Sequence, residues 1–521
     1  MKKKEISREI IERLLTIEKI DDFVIDKISK EVAQKHKVNR IPTKVEILGF
    51  CEKNEKEKLE KYLKTKPSRS ISGVSVITVV AKPRKCPGKC IYCPKGSKAP
   101  KSYTGFEPAI QRGIRNNYDP FLQVRDRLKQ YEATGHPRDK IEIIILGGTF
   151  LSLDKDYQEW FVKRIFDSLN GKESESLASS QRINENAKHR CVGLTIETRP
   201  DFCFEEHINQ MLNLGVTRVE IGVQTIYPEV LEKISRGHDL ESTIKATQLS
   251  KDSGLKVTYH IMPGLFVDFK RDLEQFKRIF SDERFRPDSL KIYPTLVIPG
   301  TPLYKLWRKG LYKPLENEEG VKLISEAMKY IPKYCRVIRV QRDIPSDKIA
   351  AGIKKSNLRE LVERECEKRG IRIKEIRYRE VGHKILRGGF RQGKIEICRT
   401  DYRASGGKEI FLSFEDLEND IIFGFLRLRI PDKPFRQEIN KETALVRELH
   451  VYGSSLKIGE KMEDSWQHRG LGKRLLEEAE RISKDEFGKN KICVISGIGV
   501  RNYYSKFGYF KEGVYMSKKL G

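Results

Sequence analysis

The sequence predicts an α/β protein with three parts: a helical basic N-terminal region, an open parallel (β/α) barrel, and a second domain built on antiparallel strands. Three observations predict it. Short β-branched runs alternate with helical patterns between about residues 71 and 330, as in βα units around a parallel sheet. From about residue 381 the apolar runs follow one another with turns between them, as antiparallel strands do. At 521 residues the chain is also too long for one core. The expected divisions are 1–70, the helical region and a possible RNA-binding arm; 71–330, the barrel; 331–380, a basic linker; and 381–521, the second domain.

Each part has its own pattern. In the first, Ile6, Ile10 and Leu14 recur four apart, and Val24, Ile28 and Val32 repeat the spacing. This region carries 19 Lys and Arg against 13 Asp and Glu, which suits either an RNA contact or a solvated helical face. Ile71 to Val80 reads as the first barrel strand. Ile141 to Leu146 follows and ends in Gly147-Gly148, where bare backbone lets a ligand approach closely. Residues 174–186 are rich in Ser, Glu and Asn and read as an exposed loop. Val192 to Ile196, Arg218 to Val223, Lys256 to Ile261 and Leu290 to Tyr293 read as further strands. Glu197, Arg199 and Gln224 come just after two of them, where such sheets place their sites, and each serves either a ligand or a turn. In the linker, Arg372, Lys374, Arg377 and Arg379 form a candidate RNA contact, and Cys335, Cys366 and Cys398 read as structural thiols.

Composition narrows the partners. The formal charge is +28 with a pI near 9.5, charged residues make up 34% and mean hydropathy is −0.56. Such an excess favours a polyanion, because cations that neutralise phosphates release counterions. No long apolar run suggests a membrane span, and the basic start runs into a charged amphipathic pattern rather than a signal peptide. Ten cysteines, three of them clustered, fit a reducing cytoplasm better than a disulfide framework.

The clustered cysteines are Cys86, Cys90 and Cys93, spaced C-x3-C-x2-C on one short loop. Three thiolates can hold three irons of a 4Fe-4S cluster and leave the fourth open to S-adenosylmethionine. A zinc knuckle needs a fourth ligand, and the nearest histidines, His36 and His136, are distant in sequence; three free thiols are the other reading. The spacing resembles that of the radical S-adenosylmethionine enzymes. In that family a Gly-Gly-Glu turn binds the methionine amino group; here Gly147-Gly148 is followed by Thr149.

The second domain carries Gln467-His468-Arg469-Gly470-Leu471-Gly472 at a helix start, after the apolar strand Ala444 to Gly453. A glycine loop at a helix N-terminus offers free N–H groups to a pyrophosphate. Q-x-x-G-x-G resembles the acetyl-coenzyme A signature of the GNAT acetyltransferases, and the strand before it and the helix after it supply the context that motif requires. Arg501 to Tyr509 resembles the last GNAT helix, whose tyrosine lies near the thioester sulfur.

Together with Tyr103-Thr104-Gly105-Phe106-Glu107-Pro108 and Arg447-Glu448-Leu449-His450-Val451-Tyr452-Gly453, this order resembles the Elongator catalytic-subunit family over nearly the whole chain, least specifically in the first 70 residues. The resemblance implies a tRNA uridine(34) acetyltransferase, or carboxymethyluridine synthase. A 5′-deoxyadenosyl radical would activate the acetyl methyl of acetyl-coenzyme A for addition to the wobble base. It implies cluster ligands Cys86, Cys90 and Cys93, and S-adenosylmethionine near Gly147, Gly148, Glu197 and Gln224. It places acetyl-coenzyme A on Lys140, on Glu448, Leu449, His450 and Val451, on Leu471, Gly472 and Lys473, and near Tyr504. His450, Tyr452 and Tyr504 are the candidate catalytic residues. The expected partner is a tRNA anticodon stem-loop, with no membrane; a homodimer is compatible, and other Elongator subunits are not required by the sequence. The alternative is a protein lysine acetyltransferase using the second domain alone, although a chain of +28 should repel lysine-rich tails.

Overall fold

The computed structural model describes residues 2–66, 68, 70–388, 393–453 and 470–521. Four helices come first: α1 (Lys2–Leu15), α2 (Asp22–Lys35), α3 (Lys44–Gly49) and α4 (Lys53–Leu63). The periodic positions do what their spacing predicts. Ile6, Ile10 and Leu14 of α1 pack with Ile28 and Val32 of α2 and with Leu59 and Leu63 of α4 in a core of their own. Asp21 caps α2 by accepting from Val24 N at 2.8 Å, and Thr43 and Glu46 form a capping box on α3.

The barrel is a seven-stranded parallel sheet: β1 (Ser75–Val80), β2 (Lys140–Leu146), β3 (Arg190–Thr198), β4 (Arg218–Gln224), β5 (Lys256–Ile261), β6 (Ser289–Ile292) and β7 (Arg336–Val340), in sequential order. Each helical crossover therefore steps to the neighbouring strand, and the sheet curls into a half-barrel. Ile141, Ile143 and Ile145 of β2 are fully buried under the helices, on one face of the strand, while Glu142 and Ile144 between them are half-buried.

Three expectations are corrected here. Residues 331–380 are not a linker: they supply β7, and the helix Leu358–Lys368 packs on the helix Asn317–Ala327. The candidate RNA contact there is partly turned inward. Arg379 is buried on Glu415 and Asp420, and Arg377 donates to Ile338 O at 3.1 Å, whereas Arg372 and Lys374 are exposed. Residues 174–186 contain the helix Leu177–Asn184, capped by Ser176 and tied down by Ser180 Oγ donating to Asp167 at 2.7 Å.

The second domain starts with the helix Val381–Arg387, then forms a seven-stranded mixed sheet: β8 (Ile395–Ala404), β9 (Gly407–Asp416), β10 (Ile421–Ile430), β11 (Thr443–Val451), β12 (Lys491–Val494), β13 (Phe510–Glu512) and β14 (Tyr515–Lys519), in the order β13-β14-β12-β11-β10-β9-β8. All neighbours are antiparallel except β11 and β12, which run parallel through the helix Leu471–Arg481. This domain docks on the N-terminal ends of the barrel strands through buried charges. Arg447, Arg429 and Lys251 meet Asp288, Glu409 and Asp252, every one of them nearly inaccessible. Among the described residues no helix is long and apolar enough to cross a membrane.

Candidate active site

The three cysteines leave β1 and turn back across the C-terminal ends of the strands. All three line one cavity of about 190 Å³ that runs into the half-barrel. Cys90 and Cys93 are buried and Cys86 is half-buried. Thr149 Oγ1 lies 4.0 Å from the Cys86 sulfur, and Ser102 Oγ lies 3.6 Å from that of Cys93. Arg236, fully buried on the loop after the helix Pro228–Lys233, places Nη1 3.3 Å from Cys90 Sγ and gives Nη2 to Gly222 O. A hydrogen bond from Cys93 and then the charge of Arg236 outweigh burial and draw the Cys90 thiol well below its ordinary range. Cys93, as the donor and itself buried, is pushed up. A thiolate held by a buried guanidinium is the form in which cysteine binds iron.

The remaining lining suits a hydrogen-bonding ligand that carries both an acceptor group and positive charge, since it offers a guanidinium and carboxylates. Arg199 Nη1 is buried without a protein partner while its other nitrogens hold Asp201, so one donor at the cavity wall awaits an acceptor. Gln224 ends β4 with φ of 70°, a left-handed conformation that is strained for a residue with a side chain, and it faces the same cavity. Gly148 also lines the cavity and needs its φ of 75°. Gly147 does not line it; a side chain there would meet Ala81 at 3.0 Å. Glu197 lines the wall and accepts from the Tyr103 hydroxyl at 2.9 Å, which ties the 98–108 loop over the cavity.

The cavity also meets a charged cluster that the sequence did not reveal. Oxygen and nitrogen atoms of Glu197, Glu220 and His260 lie within 4.8 Å of one another. Lys291 stands among them, bonded to Glu220 and 3.4 Å from Glu197, so an ammonium supplies the positive charge a metal would bring. His260 adds a 3.0 Å contact to Glu220. A lysine in the apolar strand Leu290–Tyr293 was the available signal; Arg236 had none, because its partner cysteine is 146 residues away.

The second group of candidate residues gathers at the opposite end of the sheet. Pairing between β11 and β12 ends at Val446 and Val494, and the strands then part. Glu448, Leu449 and His450 continue alone on that side among the described residues. Gly472, at the start of the helix beyond the gap, leaves no room for a side chain: a Cβ would sit 2.6 Å from the Tyr503 hydroxyl and 3.6 Å from Val451. Leu471 is buried beside it and Lys473 is exposed. Gln467, His468 and Arg469 lie outside the described residues. Tyr504 is buried, edge-on to Tyr503 at 5.3 Å, and burial raises its phenol to a pKa above the ordinary range. Lys140 opens β2 at the same end of the barrel, where burial lowers its ammonium.

The rings of His450 and Tyr452 lie 4.5 Å apart, tilted by 39°, and face the barrel floor. His450 Nε2 is 3.2 Å from Ser72 O, and burial lowers its pKa, favouring the neutral ring. Tyr452 accepts from Arg336 Nη1 at 2.8 Å, and Arg336 Nη2 pairs with Glu380 at 2.8 Å. Burial would raise the Glu448 carboxyl, but Lys256 and Arg427 prevail and hold it at about 2. The structure thus brings together Cys86, Cys90, Cys93, Gly148, Glu197 and Gln224 at one end. At the other it assembles Glu448, His450, Val451, Tyr452 and Gly472.

A cysteine-lined parallel half-barrel fused to a mixed sheet with a parted strand pair defines the class: a radical S-adenosylmethionine protein with a second, mixed-sheet domain. The family models agree. They match the ELP3 N-terminal domain at residues 3–71, the radical SAM superfamily at 81–279 and its C-terminal domain at 287–368. The chain is 52% identical to the tRNA uridine(34) acetyltransferase of Methanocaldococcus jannaschii over 99% of its own length and 98% of that protein. It is 42% identical to human Elongator complex protein 3 over 96% of its length and 94% of that protein. It also resembles the solved archaeal Elp3 of Methanocaldococcus infernus lacking residues 1–46, with a TM-score of 0.78 and 52% identity over 86% of this chain and all of that one. The chain belongs to the Elp3 family.

Proposed function

We propose that this chain is a tRNA uridine(34) acetyltransferase that builds a 5-carboxymethyl group from acetyl-coenzyme A. The observation that carries the reading is the pairing of two sites on one barrel: the cysteine cavity at one end, and at the other the strand gap of a GNAT-type domain spanning 381–521. Elp3 relatives named tRNA uridine(34) acetyltransferase share about half of its residues over nearly the full length.

Cys86, Cys90 and Cys93 would hold a 4Fe-4S cluster, which with S-adenosylmethionine supplies one-electron cleavage and a carbon radical. Arg236 keeps a thiolate ready for iron, and Arg199, Gln224 and Gly148 would orient the sulfonium ligand. Glu448, Leu449, His450 and Val451 would receive the pantetheine arm, while Leu471 and Gly472 receive the pyrophosphate on a helix start. Lys140 would meet a coenzyme phosphate as a point charge. His450, neutral and backed by Ser72 O, can take a proton from water, and Tyr452, held by Arg336, can orient that water on the thioester. A single-stranded anticodon loop lets the base leave its stack at small cost. The +28 chain, its helical N-terminal region included, supplies the electrostatic attraction for the tRNA.

The test is anaerobic reconstitution with tRNA, followed by mass spectrometry of the digested nucleosides. Uridine should gain a two-carbon unit with the wild type and not with Cys86→Ser. Acetylation of a basic peptide that survives Cys86→Ser, with uridine unchanged, would favour the lysine acetyltransferase instead.

A further inference from the structure

We infer that the radical domain sets the opening of the coenzyme gap through Asp288, which holds the bulge residue Arg447. This rests on the reading of Glu448–Val451 as a coenzyme edge.

The bulge is read from the strand register. β10 advances one residue from Arg427 to Leu428 while its partner on β11 passes from Glu448 to Val446, so Arg447 is the extra residue. It comes directly after Val446, where pairing with β12 stops. The strands part at the bulge, and bulges bend a strand and redirect it.

Arg447 is held by its side chain both from its own sheet, by Glu409, and from outside it. Nη1 donates to Asp288 Oδ2 at 2.8 Å and to Leu255 O at 2.9 Å; Nη2 donates to Asp288 Oδ1 at 2.6 Å and to Glu409 Oε2 at 2.9 Å. Asp288 precedes β6 and also accepts from Val257 N of β5 at 2.8 Å, so the forked pair is anchored to two barrel strands. The next residue, Glu448, is held by Arg427 at 2.9 Å and Lys256 at 3.5 Å. Every side-chain anchor of the bulge except Glu409 and Arg427 belongs to the radical domain. Asp288 is a positioning residue: it acts through Arg447 on the backbone that receives the coenzyme.

A second buried pair in the same interface supplies the control. Asp252 meets Arg429 at 2.6 Å and accepts from Lys433 N at 3.0 Å, equally buried, but it reaches Arg447 only indirectly, through the Glu409 that Arg429 and Arg447 share. If these ions only glue the domains, the two carboxylates are equivalent, since breaking either pair strands a buried charge.

Acetyl-coenzyme A binding is measured by calorimetry on the full-length, cluster-free protein, and S-adenosylmethionine cleavage is measured on the reconstituted protein. Asp288→Asn should weaken coenzyme binding by about tenfold or more while cleavage stays within about twofold, because small misplacements at a site are expensive. Arg447→Lys, which keeps the charge but loses the fork, should do the same and serves if Asp288→Asn does not fold. Asp252→Asn should leave coenzyme binding within about twofold. Unchanged binding in the foldable bulge variant, or an equal loss in Asp252→Asn, overturns the proposal. A wild-type protein that does not bind acetyl-coenzyme A overturns the coenzyme reading, and this proposal with it.

Discussion

The hydroxyl of Tyr452 lies 2.8 Å from Nη1 of Arg336, so the residue after the parted strand is fastened to the first residue of β7. Three residues along the same strand, Arg339 lines the cysteine cavity. At about 3.3 Å per residue, roughly 10 Å of strand separates the two arginines.

Tyr452→Phe removes that acceptor and leaves Arg336 with Glu380. Losing a hydrogen bond from a charged donor should cost about 1.5–3 kcal/mol of stability, visible as a lower melting temperature. If the hydroxyl orients water, tRNA-stimulated thioester hydrolysis should fall in kcat with KM little changed. An unaltered kcat would remove Tyr452 from the chemistry.

Arg236→Met takes away the cation beside Cys90. The thiol should hold its proton more tightly and iron should bind about tenfold or more weakly, as when other residues that orient metal ligands are lost. Iron and sulfide content after reconstitution checks it, and wild-type content in the variant would count against the assignment.

Asp272 is buried after β5, and desolvation raises its carboxyl to about 8 despite a hydrogen bond from Gly264 N. The folded state therefore keeps a proton that the unfolded chain has lost. Its stability contribution is fully present below about pH 4 and is lost as pH rises through about 8, on the order of 1 kcal/mol per unit. Asp272→Asn should flatten this slope in denaturant titrations between pH 5 and 8. A parallel wild-type and variant slope would refute the shift.

Gly472→Val would drive a side chain into the Tyr503 hydroxyl. Acetyl-coenzyme A affinity should fall about tenfold or more, while cleavage of S-adenosylmethionine continues. Equal loss of both activities would show a general folding defect instead.

Much of the site was legible because it is local. The cysteine spacing and Gly148 after β2 each fall within one loop, where sequence and geometry coincide, whereas Gly147 beside it packs on Ala81 instead. What escaped depends on partners distant in the chain. Arg236 gains its role only when β4 and the cysteine loop fold together. Lys291, Glu220 and His260 come from three different strands. The basic stretch after residue 331 looked like a linker because Arg377 and Arg379 resemble a solvated run; Glu415 and Asp420, which bury Arg379, lie in the other domain. The helix Leu177–Asn184 was hidden by Ser and Asn, which favour loops until neighbours satisfy them.

The span of β7 between Arg336 and Arg339 acts as a ruler for any reaction that uses both ends of the barrel. Groups anchored rigidly at either mouth cannot touch, so one reactant has to travel on a slender, slack tether while its anchor stays put. A thioester at the tip of a long carrier answers that description; a compact acetyl donor without such a handle would be stranded at the wrong door.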